Sequence, residues 1–207
     1  MIYSDKELNS LRELVKKRLS EKRFMHTLGV EKAAERIGKI LLPELVSELK
    51  AAALLHDIAK EIPIQKQIDM LSENKFVLTD DDIETEGIIH SFSAPIVIKN
   101  DFPDFATENI LSAVFNHTVG CGDMTLFDKI IFISDYIEET RIYPSCIATR
   151  EMLYDGLEET SKTDKVKVLN KACIASIDGT ITSLEKHNSK VNPRMAETKK
   201  ILQNQVL

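Results

Sequence analysis

The sequence contains few of the residues that interrupt or cross-link a polypeptide chain. It has 7 glycines and 6 prolines among 207 residues, so long segments run without a turn residue, which favours helix over sheet. The three cysteines, Cys121, Cys146 and Cys173, are widely spaced and include no CxxC pair. We therefore predict neither a disulfide framework nor a cysteine zinc site.

The sequence also lacks the features that bring a protein to nucleic acid or to a membrane. Its net charge is -6, which argues against a basic nucleic-acid-binding face and against attraction to anionic lipids. No apolar run approaches the roughly 20 residues that span a bilayer, and the N-terminus has no apolar signal-peptide region. We predict a cytoplasmic protein with no nucleic-acid or membrane partner, and we leave a homodimer open.

The chain has instead the composition of a helical protein. It is 43% hydrophobic and 29% charged, so it can bury a core, and no stretch shows a persuasive strand alternation. We predict an all-α, compact helical bundle. The predicted single domain covers residues 1–207, with a core at about 15–185 and a C-terminal helical extension at 186–207.

Capping residues and prolines indicate where the helices begin. Ser4 followed by Glu7 is a capping-box pattern, and Thr107 and Thr125 can each cap a later helix. Two or three further helices are predicted over about 148–207; Pro144 is predicted to end the region before them and Pro193 to start the last helix. The earlier predicted helices run from Ser4 to about Leu19, over 21–40, from Pro43 through His56-Asp57, and over 64–71, 89–99, 107–117 and 125–139.

The segment from Lys50 to Glu61, KAAALLHDIAKE, combines a buried-looking helix with a His56-Asp57 pair. A charged aspartate in apolar surroundings is costly unless a cation compensates it. A lone histidine is usually a hydrogen-bonded structural residue, and His187, in a polar segment, is interpreted as surface. The other candidate metal ligands lie at the apolar edges of predicted helices, and imidazole with carboxylate suits iron, manganese, cobalt, nickel or zinc. These candidate ligands are His26, His56, Asp57, His90, His117 and Asp135.

The order His26, His56-Asp57, Asp135 resembles the H…HD…D signature of the HD-domain superfamily of metal-dependent phosphohydrolases. His90 and His117 fall where two-metal members carry extra histidines. A narrower resemblance, over about residues 15–185, is to the YqeK-type symmetrical bis(5'-nucleosyl)-tetraphosphatases, which split diadenosine tetraphosphate into two ADP. It is carried by the segments His26–Val30, Ala53–Lys60, Asn116–Met124 and Phe127–Arg141.

The resemblance implies two divalent metal ions, with iron the preferred identity. One ion would be held by His26, His56, Asp57 and Asp135. The other would be held by His90 and His117, with Asp57 bridging because a carboxylate has two oxygens. Asp57 is thus a candidate for the catalytic centre as well as a ligand.

Cationic and hydroxyl side chains close to these ligands are candidate contacts for a nucleotide substrate. Lys60, four residues after His56, can contact phosphate or act in catalysis, although a solvated helix-end lysine is the ordinary alternative. Arg141 and Arg23 suit bidentate phosphate recognition, but surface ion pairs are the usual fate of such residues. Thr118 can bind phosphate or ribose, or cap the end of a helix.

Two alternatives stay open at this point. Another HD phosphohydrolase could act on a nucleoside monophosphate or a cyclic dinucleotide. HD enzymes that hydrolyse guanosine-tetraphosphate alarmones carry a motif that resembles HDxxED, whereas this sequence has Lys60 in place of the Glu. An alarmone substrate is therefore disfavoured. The second alternative is a nonenzymatic, metal-dependent nucleotide-binding module, which the six intact ligand positions disfavour.

Overall fold

The computed structural model describes residues 2–159 and 161–206. Within these residues the chain forms eleven α-helices and no β-strand, so the predicted all-α class is confirmed. No described helix has both the length and the apolar character needed to cross a membrane. The helices are α1 (Asp5–Lys16), α2 (Glu21–Leu41), α3 (Val46–Leu55), α4 (Ile64–Glu73), α5 (Asp80–Glu84), α6 (Ile89–Asp101), α7 (Glu108–Asn116), α8 (Leu126–Ile137), α9 (Pro144–Glu159), α10 (Lys162–Lys186) and α11 (Pro193–Asn204).

Helix α3 is the central element of the bundle. Its residues Ala51–Leu55 are 0% exposed, and α1, α2, α7 and α8 pack around it. Alanine and leucine favour helix and bury no polar side-chain atom. The chain that leaves this helix therefore starts from a fixed, fully buried position.

The His56-Asp57 pair lies just after α3, and the prediction that a helix carries it is wrong at this point. His56 keeps helical angles as the C-terminal cap, with φ −56° and ψ −42°. The amide of Ile58 then donates to the Leu55 carbonyl at 3.1 Å, and that of Lys60 to the Asp57 carbonyl at 2.9 Å. These bonds reach back three residues, so the chain continues as tight turns rather than as an α-helix.

Most predicted helix starts are confirmed by their caps. Ser4 with Glu7 and Thr125 with Asp128 form capping boxes, and Thr107 accepts from the Ile110 amide. Pro193 opens α11 as predicted.

Three helix boundaries differ clearly from the predictions, and one helix was not predicted. Helix α1 ends at Lys16 instead of near Leu19, and Pro43 opens a single 3-10 turn before α3 begins at Val46. Pro144 begins α9 instead of ending the preceding region, because the first turn of a helix tolerates a proline without an amide hydrogen. Helix α5 was not predicted, since at five residues it is too short for a periodic pattern.

The loop between α10 and α11 is fastened to α5 by polar contacts. The Asn192 amide donates to Asp82 Oδ1 at 3.1 Å, and Arg194 donates to both Asp82 oxygens at 3.1 Å. Lys190 pairs with Asp81 at 2.8 Å and also with Glu84. The C-terminal residues are therefore held beside the segment that leads into α6, while the division of the chain into core and extension stays a prediction.

We expect Asp82→Ala to lower the free energy of unfolding by about 1–3 kcal/mol, because Asn192 and the Thr79 amide lose a buried acceptor. The Asp82 side chain is 0% exposed. Asp80→Ala, at an exposed position of the same helix, is the matched control and should change the value by less than about 0.5 kcal/mol. Urea denaturation measures both, and equal values for the two variants would contradict the prediction.

The same contacts fix the sign of a pH dependence. Burial raises the pKa of Asp82, but hydrogen bonds from Arg194, Thr79 and Asn192 outweigh it and lower the pKa from 3.8 to about 2. The stabilisation is therefore present above pH 3.8 and is lost as the pH falls towards 2. The difference in the free energy of unfolding between wild type and Asp82→Ala should therefore become smaller as the pH falls from 3.8 towards 2.

Candidate metal centre

The six predicted ligands come together at one place in the bundle. They lie on α2, on the turn after α3, on α6, at the end of α7 and on α8. His56, Asp57, His90 and His117 are each at most 4% exposed. The structure therefore contains a buried cluster of imidazole and carboxylate groups, made up of His26, His56, Asp57, His90, His117 and Asp135.

Two overlapping groups within this cluster have the spacing of metal ligands. Donor atoms of His26, His56 and Asp57 lie within 4.8 Å of one another, and so do those of Asp57, His90 and His117. Asp135 adjoins the first group, with Oδ1 2.9 Å from His26 Nε2 and 3.9 Å from His56 Nε2. Each group could hold one divalent ion.

Asp57 is shared by the two groups through its two different oxygens. Its Oδ1 lies 3.1 Å from His90 Nε2 and 3.7 Å from His117 Nε2. Its Oδ2 lies 3.6 Å from His56 Nε2 and 4.0 Å from His26 Nε2. A carboxylate that presents one oxygen to each group has the arrangement required of a bridging ligand.

The ring nitrogens of the histidines also fit a metal. His56 Nδ1 donates to the Ala53 carbonyl at 2.7 Å, and His117 Nδ1 donates to the Val114 carbonyl at 2.6 Å. Both rings therefore turn Nε2 towards the cluster. The buried His56 Nε2 finds no hydrogen-bond partner among the described residues. An orphaned buried nitrogen is unfavourable, and coordination to a cation would satisfy it.

Burial and charge set protonation states that suit metal ligands at His56, His90 and Asp57. Burial lowers the pKa of His56 and of His90 to about 4, so both imidazoles are neutral at pH 7. Burial would raise the pKa of Asp57, yet the surrounding imidazoles hold it well below its usual value. Metal coordination requires neutral imidazole and ionised carboxylate. At His26, burial lowers the pKa, but contacts with the carboxylates of Asp135 and Glu138 outweigh it and raise the pKa to about 9, so a metal ion there would displace a proton.

Comparison with known proteins identifies the family. Residues 23–140 match the family model described as HD domain. The chain belongs to the HD-domain family. The resemblance predicted from the sequence is thus confirmed at the level of the family, and His26, His56-Asp57 and Asp135 all lie inside the matched range.

Relatives of this HD-domain chain carry a more specific name. The chain is 32% identical over 183 residues to a protein of Halalkalibacterium halodurans named bis(5'-nucleosyl)-tetraphosphatase, symmetrical, covering 87% of this chain and 89% of that one. A Bacillus subtilis protein of the same name is 30% identical over 86% of this chain and 88% of its own length. The fold also matches a crystal structure from Clostridium acetobutylicum, described as a predicted HD superfamily hydrolase involved in NAD metabolism. The match has a TM-score of 0.80 and 29% sequence identity, and it covers 95% of this chain and 97% of that one.

Three cations adjoin the HD-domain cluster. Arg23 Nη1 donates to Asp57 Oδ2 at 2.7 Å, and Arg141 Nη2 donates to Asp135 Oδ1 at 2.7 Å. Lys60 Nζ donates to the Gly87 carbonyl at 3.1 Å and lies 3.1 Å from His90 Nδ1. All three predicted phosphate contacts are therefore brought to the cluster, although Lys60 reaches it from a turn and not from a helix.

A cavity of about 440 Å³ opens beside these residues. Its walls include Thr118, Asp135 and Arg141 on the side of the cluster, and Thr118 Oγ1 lies 2.9 Å from Ser91 Oγ. The cavity is also lined by the Glu84–Ile88 segment and by the loop between α10 and α11 that includes Lys190. His187 is exposed, as predicted from its polar surroundings.

One residue that contacts the cluster is not among those predicted from the sequence. Glu138, directly after α8, has a fully buried side chain and places Oε1 3.1 Å from His26 Nδ1. In the sequence it stands next to Glu139, which is solvent-exposed and pairs with Lys32. Two adjacent glutamates give no signal that one is buried; the three-residue spacing from Asp135 was the available hint, because it places both near one face.

We expect a divalent ion to raise the Tm of the metal-free protein. A ligand at 100 times its Kd adds about 2.7 kcal/mol to the free energy of unfolding, or roughly 5–10 °C for a chain of this size. The His56→Ala variant should lose the part of the increase that comes from the group containing His56, whereas His187→Ala, at an exposed histidine, should keep all of it. Thermal unfolding with added Mn²⁺ and then with chelator measures this effect, and an equal increase in both variants would argue against the cluster as the site.

Proposed function

We propose that this chain is a metal-dependent phosphohydrolase that cleaves dinucleoside polyphosphates, converting diadenosine tetraphosphate into two ADP. The observation that carries the proposal is Asp57, which presents one carboxylate oxygen to each of two adjoining ligand groups. The substrate class is supported by the relatives named symmetrical bis(5'-nucleosyl)-tetraphosphatases, which are 30–32% identical over most of the chain.

In this proposal two divalent ions occupy the cluster. One would be held by His26, His56, Asp57 and Asp135, and the other by His90, His117 and the shared Asp57. When bound, such ions polarise phosphoryl oxygens and lower the pKa of a water molecule. We propose iron as the natural ion, since histidine-carboxylate sites accept it, with manganese, cobalt, nickel and zinc as alternatives.

The protein's own cations would act on the polyphosphate. Lys60, Arg141 and Arg23 each lie within 3.1 Å of a cluster residue, so their charges are fixed before substrate arrives. Such preorganised donors stabilise negative charge that builds up during phosphoryl transfer. Asp57 would organise both ligand groups, and Thr118, at the cavity wall, could hydrogen-bond phosphate or ribose.

The cavity supports a nucleotide as the substrate. It adjoins the cluster at Asp135 and Arg141 and is also lined by the apolar side chains of Ile88, Leu184 and Met195. Ligand pockets combine apolar walls with a few polar groups that fix orientation. A nucleoside placed among the apolar side chains would direct its phosphates towards the cluster.

The alternative is a related HD phosphohydrolase with a different nucleotide substrate. The structure from Clostridium acetobutylicum, described as involved in NAD metabolism, favours keeping it in the test. Cytoplasmic location and a homodimer stay predictions, to be examined by cell fractionation and by light scattering.

Incubation of anaerobically purified protein with diadenosine tetraphosphate should give ADP as the sole product, with about two metal ions per chain, as expected for two adjoining sites. Chromatography and metal analysis measure these values. AMP plus ATP would mean an asymmetric cut and would contradict the symmetrical assignment. Metal without hydrolysis would direct the search to other phosphate esters, and tight binding without turnover would favour a binding module.

Asp57→Ala should abolish both metal occupancy and turnover, because it removes the one ligand that the two groups share. His90→Ala should leave the group of His26, His56 and Asp57 able to hold one ion. Metal content and product release measured on the two variants test the shared role. An Asp57→Ala enzyme that is fully active without bound metal would contradict the proposal.

Lys60→Met should lower kcat by about 100-fold with metal content unchanged, because it removes a preorganised cation and no proposed ligand. Lys66→Met, at an exposed position of α4, is the matched control and should behave as wild type. Steady-state kinetics and metal analysis on both variants give the comparison. Unchanged kcat in Lys60→Met would return Lys60 to the role of an ordinary solvated lysine.

A further inference from the structure

We infer that Glu138 is a positioning residue, which orients His26 through its Nδ1 nitrogen and thereby strengthens metal binding at the group of His26, His56, Asp57 and Asp135. The inference rests on the proposed function and adds to it a residue that supplies no ligand atom. Four features of the structure carry it: the carboxylate-imidazole contact, the burial and fixation of the carboxylate, the room made for it by Gly29, and the contrast with the other histidines.

The carboxylate and the imidazole are placed for a hydrogen bond. Glu138 Oε1 lies 3.1 Å from His26 Nδ1. On the other side of the ring, Nε2 faces Asp135 Oδ1 at 2.9 Å without a well-directed hydrogen bond among the described residues. A carboxylate that accepts the Nδ1 hydrogen fixes the tautomer and the ring orientation of a histidine ligand and makes its Nε2 more basic.

Glu138 is itself held rigidly. Its side chain is fully buried, and Oε2 accepts from the Thr140 amide at 2.7 Å while Oε1 accepts from the Thr140 hydroxyl at 2.5 Å. Arg150 fixes the surrounding backbone by donating to the carbonyls of Ile137 at 2.5 Å and of Glu138 at 2.6 Å. A carboxylate with this many partners has one position, so it can define the position of His26.

The facing surface of α2 leaves room for this carboxylate. Gly29, three residues after His26, lies on nearly the same face of the helix. A Cβ atom at Gly29 would overlap Glu138 Oε2 and would lie 3.2 Å from Glu138 Cδ. Because Thr140 holds the carboxylate, any larger side chain at this position would push it away from His26.

The other histidines of the cluster are held differently. His56 and His117 direct Nδ1 to backbone carbonyls three residues earlier, at 2.7 Å and 2.6 Å, and His90 Nδ1 faces Lys60. Among these four rings only His26 has a carboxylate on its Nδ1 side. Removing the charge of Glu138 should therefore weaken one metal site and spare the other.

The test is titration of the metal-free full chain with Mn²⁺ alone, following the free ion by electron paramagnetic resonance. Glu138→Gln should weaken one class of site by about 10- to 100-fold and leave the second class unchanged. The weakened class should be the one that survives in His90→Ala. Glu139→Gln, at the exposed neighbour, is the matched control and should titrate as wild type.

A second variant moves the carboxylate without removing its charge. Gly29→Ala should weaken the same class of site, and Thr140→Val should do so to a smaller extent, so the inference stays testable if Glu138→Gln does not fold. Tm values of the metal-free variants report any general destabilisation of the fold. A merely structural role would weaken both classes of metal site alike, whereas a positioning role weakens one.

Each outcome decides between the hypotheses. Equal affinity of wild type and Glu138→Gln, or equal weakening of both classes, would overturn the role of Glu138 and leave the proposed function intact. Failure of wild type to bind Mn²⁺ at all would overturn the two-metal proposal together with this inference.

Discussion

The site depends on the burial of one charged carboxylate. Asp57 is 4% exposed, and a carboxylate that far from water must be compensated by nearby cations or donors. The structure meets this requirement with imidazoles from α2, α6 and the ends of α3 and α7, together with Arg23. Two of the helices that supply them, α2 and α7, pack directly against α3, whose residues Ala51–Leu55 are fully buried. Packing and site chemistry are thus two aspects of one arrangement.

Much of the site could be predicted from the sequence because ligand chemistry restricts residue type. His26, His56, Asp57, His90, His117 and Asp135 stand out as polar groups at the edges of apolar segments, and the structure brings them together. Their order was enough for the family to be recognised. What spacing could not give was the geometry of the pair itself, because the change from α-helical to three-residue hydrogen bonds after Leu55 leaves no mark in composition.

The contacts that the sequence did not reveal are those between segments far apart in the chain. Arg23 meets Asp57 only because α2 passes beside the turn after α3, and Glu138 meets His26 only because the chain leaving α8 lies against α2 beside Gly29. Helix α5 owes its place to Asn192 and Arg194, which are more than 100 residues away in sequence. Such pairings are set by tertiary packing, which local propensity does not contain.

Part of the cavity wall is built by the Glu84–Ile88 segment and by the loop between α10 and α11. These elements can vary in sequence separately from the candidate metal ligands. Neither element supplies a candidate ligand, and the two are joined by the ion pair of Lys190 with Glu84 and by a hydrogen bond from the Asn192 side chain to the Thr85 hydroxyl at 2.9 Å. Side chains there can change in size and polarity while α2, α6, α8 and the ends of α3 and α7 keep the six candidate ligands in place. Under the proposed function, selectivity for the organic part of a ligand and reactivity towards its phosphates would therefore be separable traits, open to independent change by natural variation or by engineering.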